Sequence, residues 1–298
     1  MNKVTVLDGG MGQELIRRSK SSPTPMWSAR VMLDTPELVQ ELHADFIRSG
    51  ASIITINAYA ATPERLAQHS KADYFEPLQS AAMDVAWQAR DQCDNTEVRI
   101  AGCLPPLVAS YHPEVGFDYD TSLDVYQRIV ELQAPRVDLF LCETMASVTE
   151  ARAAAKAAKQ SGLPVWSALT LDDDNPNCLR SGEPWQLAVE ALEALGVDAV
   201  LINCSRPETI SAVWSEFKDL NQQPVGAYAN AFTSIDALNP GGVVSALQAR
   251  HDLGPEAYAD VVEQWVKAGA TIVGGCCEVG PEHIAKVCER LDAMGRKR

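Results

Sequence analysis

Short apolar, β-branched runs alternate along this chain with longer amphipathic segments. The runs lie near Val4 to Leu7, Ser52 to Asn57, Val98 to Cys103, Asp138 to Cys142, Pro164 to Thr170, Asp198 to Asn203, Pro224 to Tyr228 and Thr271 to Val273. Runs of this length bounded by turn residues predict strands buried on both faces. Between them, apolar residues at helical spacing predict helices over Pro36 to Ser49, Asp73 to Gln92, Leu123 to Pro135, Ser147 to Ser161, Pro184 to Leu195, Pro207 to Leu220, Pro255 to Ala268 and Pro281 to Met294. Several begin with proline, whose missing N–H would be unpaired in a first turn anyway. Gly50, Gly162, Gly196 and Gly269 precede strands at the position of a helix C-cap.

Eight strand-and-helix units in 298 residues predict a (β/α)8 TIM barrel, one domain over residues 1–298. A doubly wound open sheet is the alternative, because alternation alone does not establish closure. No low-complexity linker or charge run divides the chain. Two longer connections, Lys20 to Leu33 and Ala231 to Gly254, follow strands and are expected over the barrel mouth.

Composition narrows the function. With 40 acidic against 25 basic residues the formal charge is −15, which opposes nucleic acid and anionic lipid and tolerates a cationic small molecule. The N-terminus has no apolar signal region, and no stretch reaches the roughly 18 apolar residues of a membrane span, so a cytoplasmic protein is expected. Eight cysteines are too sparse for a disulfide scaffold, and reduced thiols are expected.

Two of the apolar runs end in cysteine: Leu201-Ile202-Asn203-Cys204-Ser205 and Thr271-Ile272-Val273-Gly274-Gly275-Cys276-Cys277. Barrel enzymes place their chemistry at the C-terminal ends of strands, so three thiols are expected to meet at one point. Three cysteine thiolates make a zinc site whose fourth position stays open to a substrate sulfur. Cys93, Cys103, Cys142 and Cys288 are expected as small core or helix-face residues, and Cys178 as a surface thiol. Asp172-Asp173-Asp174 reads as a solvated loop, and His112 has no evident partner.

The segments Leu7-Asp8-Gly9-Gly10-Met11-Gly12-Gln13-Glu14-Leu15, Cys142-Glu143-Thr144, Arg180-Ser181-Gly182-Glu183-Pro184, Asn203-Cys204-Ser205 and Gly274-Gly275-Cys276-Cys277 together resemble the homocysteine S-methyltransferase family. The resemblance runs from residue 7 to residue 284. It implies a zinc-dependent (β/α)8 barrel that moves a methyl group to homocysteine, forming methionine, from S-methylmethionine, S-adenosylmethionine, betaine or methylfolate. It further implies that Cys204, Cys276 and Cys277 hold zinc and that Asp8, Gly9 and Glu143 hold the amino-acid end of homocysteine. The chain departs from the family pattern at Gln13, where threonine is common, at Tyr228-Ala229-Asn230, where Tyr-Pro-Asn is frequent, and after Cys277, where Glu278-Val279-Gly280 replaces an arginine and threonines.

The residue chemistry agrees with this resemblance. A thiol of ordinary pKa about 8.5 is mostly protonated at neutral pH, and metal ligation removes the proton. Two carboxylates, Asp8 and Glu143, are expected to flank an ammonium, while the Gly9-Gly10 amides receive a carboxylate and Asn57 shares that role. An onium donor favours an aromatic wall, for which Tyr59, Trp166, Tyr228 and Trp27 are the candidates. Two alternatives belong to other classes. A catalytically silent protein would capture a thiol amino acid without methyl transfer, and a cysteine redox protein would be active without metal and show a Cys276 to Cys277 bond.

Overall fold

In the computed structural model, which describes residues 3–19, 28–240 and 247–297, eight parallel strands form the barrel. They are β1 (Thr5–Val6), β2 (Ile53–Thr55), β3 (Arg99–Leu104), β4 (Leu139–Met145), β5 (Val165–Leu169), β6 (Ala199–Asn203), β7 (Val225–Tyr228) and β8 (Ile272–Val273). Each pairs with its sequence neighbour from β2 to β8, and β8 pairs back with β1. The ring closes through a parallel bridge between Leu7 and Ile53, with Ser52 N–H donating to Val6 O at 2.8 Å and Asp8 N–H to Ile53 O at 3.0 Å. Closure excludes the open-sheet alternative.

Period-two alternation sorts the strand side chains into two cores. On β5, Trp166 and Ala168 join an inner cluster while Val165 and Leu169 join the outer one; on β6, Ala199 and Leu201 point with the former and Val200 and Ile202 with the latter. Leu7, Ile53, Ala101, Leu139, Leu141, Tyr228 and Ile272 complete the inner packing. The barrel interior is therefore filled with side chains rather than forming a pore.

The outer layer consists of α1 (Met11–Arg18), α2 (Ser28–Asp34), α3 (Pro36–Arg48), α4 (Pro63–Gln68), α5 (Phe75–Gln92), α6 (Tyr119–Gln133), α7 (Val148–Lys159), α8 (Trp185–Ala194), α9 (Pro207–Leu220), α10 (Pro255–Lys267) and α11 (Pro281–Ala293). All eight predicted helices are present, with ends shifted by a few residues. Proline occupies the first turn of α3, α4, α9, α10 and α11. The four glycines expected as caps all have positive φ, from +66° at Gly196 to +110° at Gly269, a region that a Cβ disfavours. The short helices α1, α2 and α4 were not predicted, and α2 lies within what read as a loop. Helices of six to eight residues are marginal alone, and here α1 and α2 pack against each other and against α3.

Among the described residues, no helix is long and apolar enough to cross a membrane. Trp27, one of the aromatic candidates, and residues 241–246 of the second long connection lie outside the described residues.

Candidate active site at the barrel mouth

The C-terminal ends of β1, β2, β4, β6, β7 and β8 surround a cavity of about 100 Å³ that opens to solvent. Asp8, Gly9, Gly10, Asn57, Glu143, Cys204, Cys276 and Cys277 all line it, so the candidate metal and acceptor residues meet at one place. Two aromatic candidates, Tyr59 and Tyr228, line it as well. Trp166 does not: it sits in the inner core near the start of β5, beneath Arg99 at 5.5 Å, because its position in the strand puts it at the opposite end of the barrel.

The three candidate ligand sulfurs lie within 4.8 Å of one another, with Cys204 and Cys277 Sγ 4.0 Å apart. Tetrahedral zinc with bonds of about 2.3 Å requires sulfurs roughly 3.8 Å apart, close to the 4.0 Å between Cys204 and Cys277. The structure joins Cys204 to Cys276 as a disulfide and leaves Cys277 a free thiol. This corrects the expectation that all thiols are reduced, and it differs from the Cys276 to Cys277 bond of the redox alternative. Adjacent cysteines are poorly placed for bonding to each other, whereas Cys204 and Cys276 arrive from the separate loops after β6 and β8 with Cα atoms 5.7 Å apart. Burial pushes the Cys277 thiol up to about 12, so without a cation it stays protonated.

The backbone that carries these sulfurs is tightly laced. Cys204 N–H donates to Tyr228 O at 3.2 Å, Cys276 N–H to Ala229 O at 3.0 Å, Gly275 N–H to Asp8 O at 2.9 Å, and Ala231 N–H to Cys277 O at 2.9 Å. A Cβ on Gly10 would stand 2.4 Å from Cys276 O, and one on Gly9 would stand 2.2 Å from Val279 O. The two glycines thus allow the first and last strand ends to touch. Gly10 N–H donates to Val279 O at 2.9 Å, which corrects the expectation that both amides of the pair serve an anion. Non-glycine residues with positive φ gather here: Tyr111, Thr144, Cys204 and Glu278, between +49° and +66°. Such strain persists only where surrounding contacts over-determine it.

Glu143 illustrates how that is done. The register of β4 shifts between Cys142 and Met145, so the strand runs past its predicted end and carries Glu143 within it. The buried Asn203 side chain accepts from Thr144 N–H and donates to Thr144 Oγ1, both at 2.9 Å, and fixes the residue next to Glu143. Cys103 Sγ donates to Glu143 Oε1 at 3.0 Å. Cys103 is buried as expected, yet it also orients a cavity carboxylate, a contact between strands that one sequence cannot display. Asp8 Oδ2 accepts from Thr55 N–H at 2.8 Å. Burial is the main cause raising Asp8 to about 8, with Glu143 adding to it, and burial raises Glu143 to about 7. An empty pocket therefore holds less than two full negative charges at neutral pH. Asn57 donates to Ser28 O at 3.4 Å and forms part of the wall.

Tyr111 was missed by sequence reasoning. It sits on the β3–α6 loop rather than at a strand end, packs with Cys204, Phe232 and Cys277, and its hydroxyl hydrogen-bonds Cys277. Arg180 lies over its ring at 5.0 Å and is held by Asp173 at 2.9 Å. Asp173 also accepts from Arg206 N–H and Thr209 Oγ1, both at 2.8 Å, so the acidic run is not merely solvated: Asp173 ties two loops together. Replacing Asp173 with alanine strands a mostly buried arginine, and a stability loss of about 3 kcal/mol is expected in urea unfolding. His112 also gains partners, Leu238 O at 2.6 Å and Glu114 Oε1 at 2.8 Å.

A barrel with convergent cysteines and carboxylates at its mouth defines a class of enzyme, and sequence comparison specifies it. The profile of the homocysteine S-methyltransferase family matches residues 5–291, and the chain belongs to that family. It is 30% identical to a homocysteine S-methyltransferase of Escherichia coli (strain K12) over 96% of this chain and 95% of that protein. It is 28% identical to a selenocysteine Se-methyltransferase of Brassica oleracea var. italica over 96% and 88% of the two chains. The crystal structure of the metallated form of the Escherichia coli homocysteine methyltransferase MmuM superposes with a TM-score of 0.81 at 26% identity, covering 97% of this chain and 96% of that one.

Proposed function

We propose that this protein transfers a methyl group from an onium donor, S-methylmethionine or S-adenosylmethionine, to the sulfur of homocysteine held at zinc. The observation that carries the reading is the convergence of Cys204, Cys276 and Cys277 on one cavity that Asp8 and Glu143 also line. Three sulfur donors suit zinc, a borderline-soft cation, better than magnesium or calcium, and they leave one coordination position for a ligand. When bound, zinc keeps an acceptor thiol as thiolate at neutral pH.

The remaining chemistry falls to this chain's own residues. Asp8 and Glu143 hold the acceptor's ammonium and thereby fix the direction of its sulfur. The acceptor sulfur attacks the methyl carbon in line. A new S–CH3 bond forms, the bond from that carbon to the donor's positive sulfur breaks with its electron pair on the donor, and both charges are neutralised. The thiol proton leaves to solvent when the acceptor binds, so no general base has to act during transfer. Tyr59 and Tyr111, which line the cavity, supply aromatic surface for the onium.

The Cys204–Cys276 disulfide favours a second reading, a redox protein, and the test separates the two. Protein is treated with a dithiol reductant, which is oxidised as the disulfide takes up two electrons, then loaded with zinc and freed of reductant. Methionine formation is measured with homocysteine and, separately, S-methylmethionine, S-adenosylmethionine and betaine, with selenocysteine as a second acceptor. About one zinc per chain and turnover with a sulfonium donor are expected. Zinc-free protein that cycles thiols and disulfides, with no methyl transfer from any donor, would establish the redox reading.

A further inference from the structure

Tyr228 carries a buried hydroxyl with no hydrogen-bond partner, at a residue that lines the cavity. Buried polar groups are nearly always satisfied, and leaving one unpaired costs about 1–3 kcal/mol. An orphan hydroxyl in a ligand cavity is explained when the ligand supplies its partner. Tyr228 ends β7, and its ring belongs to the inner core, which directs the side chain inward at the top of the barrel.

Its surroundings specify the partner. The charged and titratable groups that act on this hydroxyl are Glu143 from β4, Cys103 from β3, Asp8 after β1 and Tyr59 after β2. Glu143 commits Oε1 to the Cys103 thiol, and Asp8 commits Oδ2 to Thr55 N–H while its Oδ1 takes only a long 3.5 Å contact from Thr55 Oγ1, so Glu143 Oε2 and Asp8 Oδ1 can still accept from a ligand. Their strands and that of Tyr228 are the first, fourth and seventh of a closed ring of eight, at intervals of three, three and two strands. Three acceptors thus approach the barrel axis from three well-spread directions. An ammonium has three N–H donors and no acceptor, and it fits such an arrangement.

We propose that the Tyr228 hydroxyl oxygen is the third acceptor for the substrate's ammonium, together with Asp8 and Glu143, and that it selects α-amino thiols over thiols lacking the amino group. This rests on the reading that the cavity binds homocysteine as methyl acceptor. It removes Tyr228 from the donor's aromatic wall and assigns it to acceptor recognition.

The test is Tyr228→Phe in reduced, zinc-loaded protein, assayed with homocysteine and with its des-amino analogue. Loss of one hydrogen bond to a charged group predicts about a tenfold rise in KM for homocysteine, kcat within about twofold, and no change in KM for the des-amino thiol. The melting temperature of ligand-free protein is expected to stay level or rise, because the deleted hydroxyl has no partner, while the stabilisation by added homocysteine shrinks. Equal KM changes for both thiols, or none for homocysteine, would overturn the assignment while leaving the methyltransferase reading intact. Wild-type protein that neither binds nor methylates homocysteine would remove both.

Discussion

Cys204→Ala is expected to lower methyl transfer at least about a thousandfold, more than the roughly 10–100-fold that follows loss of an outer-shell partner at a metal site, and to lose the proposed zinc on gel filtration. The barrel itself is expected to survive. Cys204 has φ +49°, a conformation strained for any residue with a Cβ, so alanine adds no new backbone cost. The Cys204 carbonyl still accepts from Asn230 Nδ2 at 2.9 Å and Thr170 Oγ1 at 3.3 Å, and these bonds hold the turn whatever the side chain. In reductant, where the disulfide contributes nothing to either protein, the melting temperatures of wild type and variant should agree within a few degrees. Cys204→Ser tests the donor atom separately, since it keeps the shape and replaces a soft ligand by a hard one. Full zinc retention with turnover within tenfold of wild type in Cys204→Ala would sink the three-sulfur site.

The contrast between Cys204 and Tyr111 shows what the sequence makes legible. Cys204, Cys276 and Cys277 end apolar runs, so reading the strands places the cysteines at the mouth without knowledge of any contact. The same logic places Asp8, Asn57 and Glu143, all of which line the cavity. It fails where position depends on a loop's path. Tyr111 reaches Cys277 only because its own φ of +66° and the Arg180–Asp173 pair turn the β3–α6 connection inward. It fails also where a side chain's direction decides its role: Trp166 and Tyr228 both belong to strands, but one lies near the start of β5 and the other at the end of β7, and only the latter meets the cavity. Strand boundaries are the least certain part of such a reading. The β4 register shift that carries Glu143 is accompanied by a bond from Thr144 N–H to Asn203 at the end of β6, two strands away, and no local pattern around residue 143 records it.

Asp8→Asn is expected to raise the stability of the empty protein while nearly abolishing acceptor binding. Burial, reinforced by Glu143, lifts Asp8 from its ordinary 3.8 to about 8, so the folded state retains a proton that the unfolded chain releases above pH 3.8. The associated stabilisation is therefore complete below that pH and is lost progressively as pH rises toward 8, which makes an ionised Asp8 a net cost at physiological pH. At 1.36 kcal/mol per unit, the shift sets an upper bound of roughly 6 kcal/mol, and asparagine, with a carbonyl still able to accept from Thr55 N–H, is expected to recover about 1–3 kcal/mol of it. The gain should appear in urea unfolding at pH 8 and vanish near pH 4. For the acceptor the sign reverses. An ammonium favours the ionised acids, so homocysteine affinity in wild type rises from pH 6 to pH 8 relative to that of the des-amino thiol, whose sulfur titrates over the same range. Removing one partner of a desolvated charge pair costs about 2–5 kcal/mol, so Asp8→Asn should raise KM for homocysteine about a hundredfold and flatten this pH dependence. Glu143→Gln should act in the same two directions with a smaller stability gain, because Glu143 rises only to about 7 and its carboxylate already accepts from the Cys103 thiol. If Asp8→Asn unfolds more easily than wild type at pH 8, the carboxylate is structural rather than held in reserve for a cation; if KM is unchanged, the ammonium binds elsewhere in the cavity.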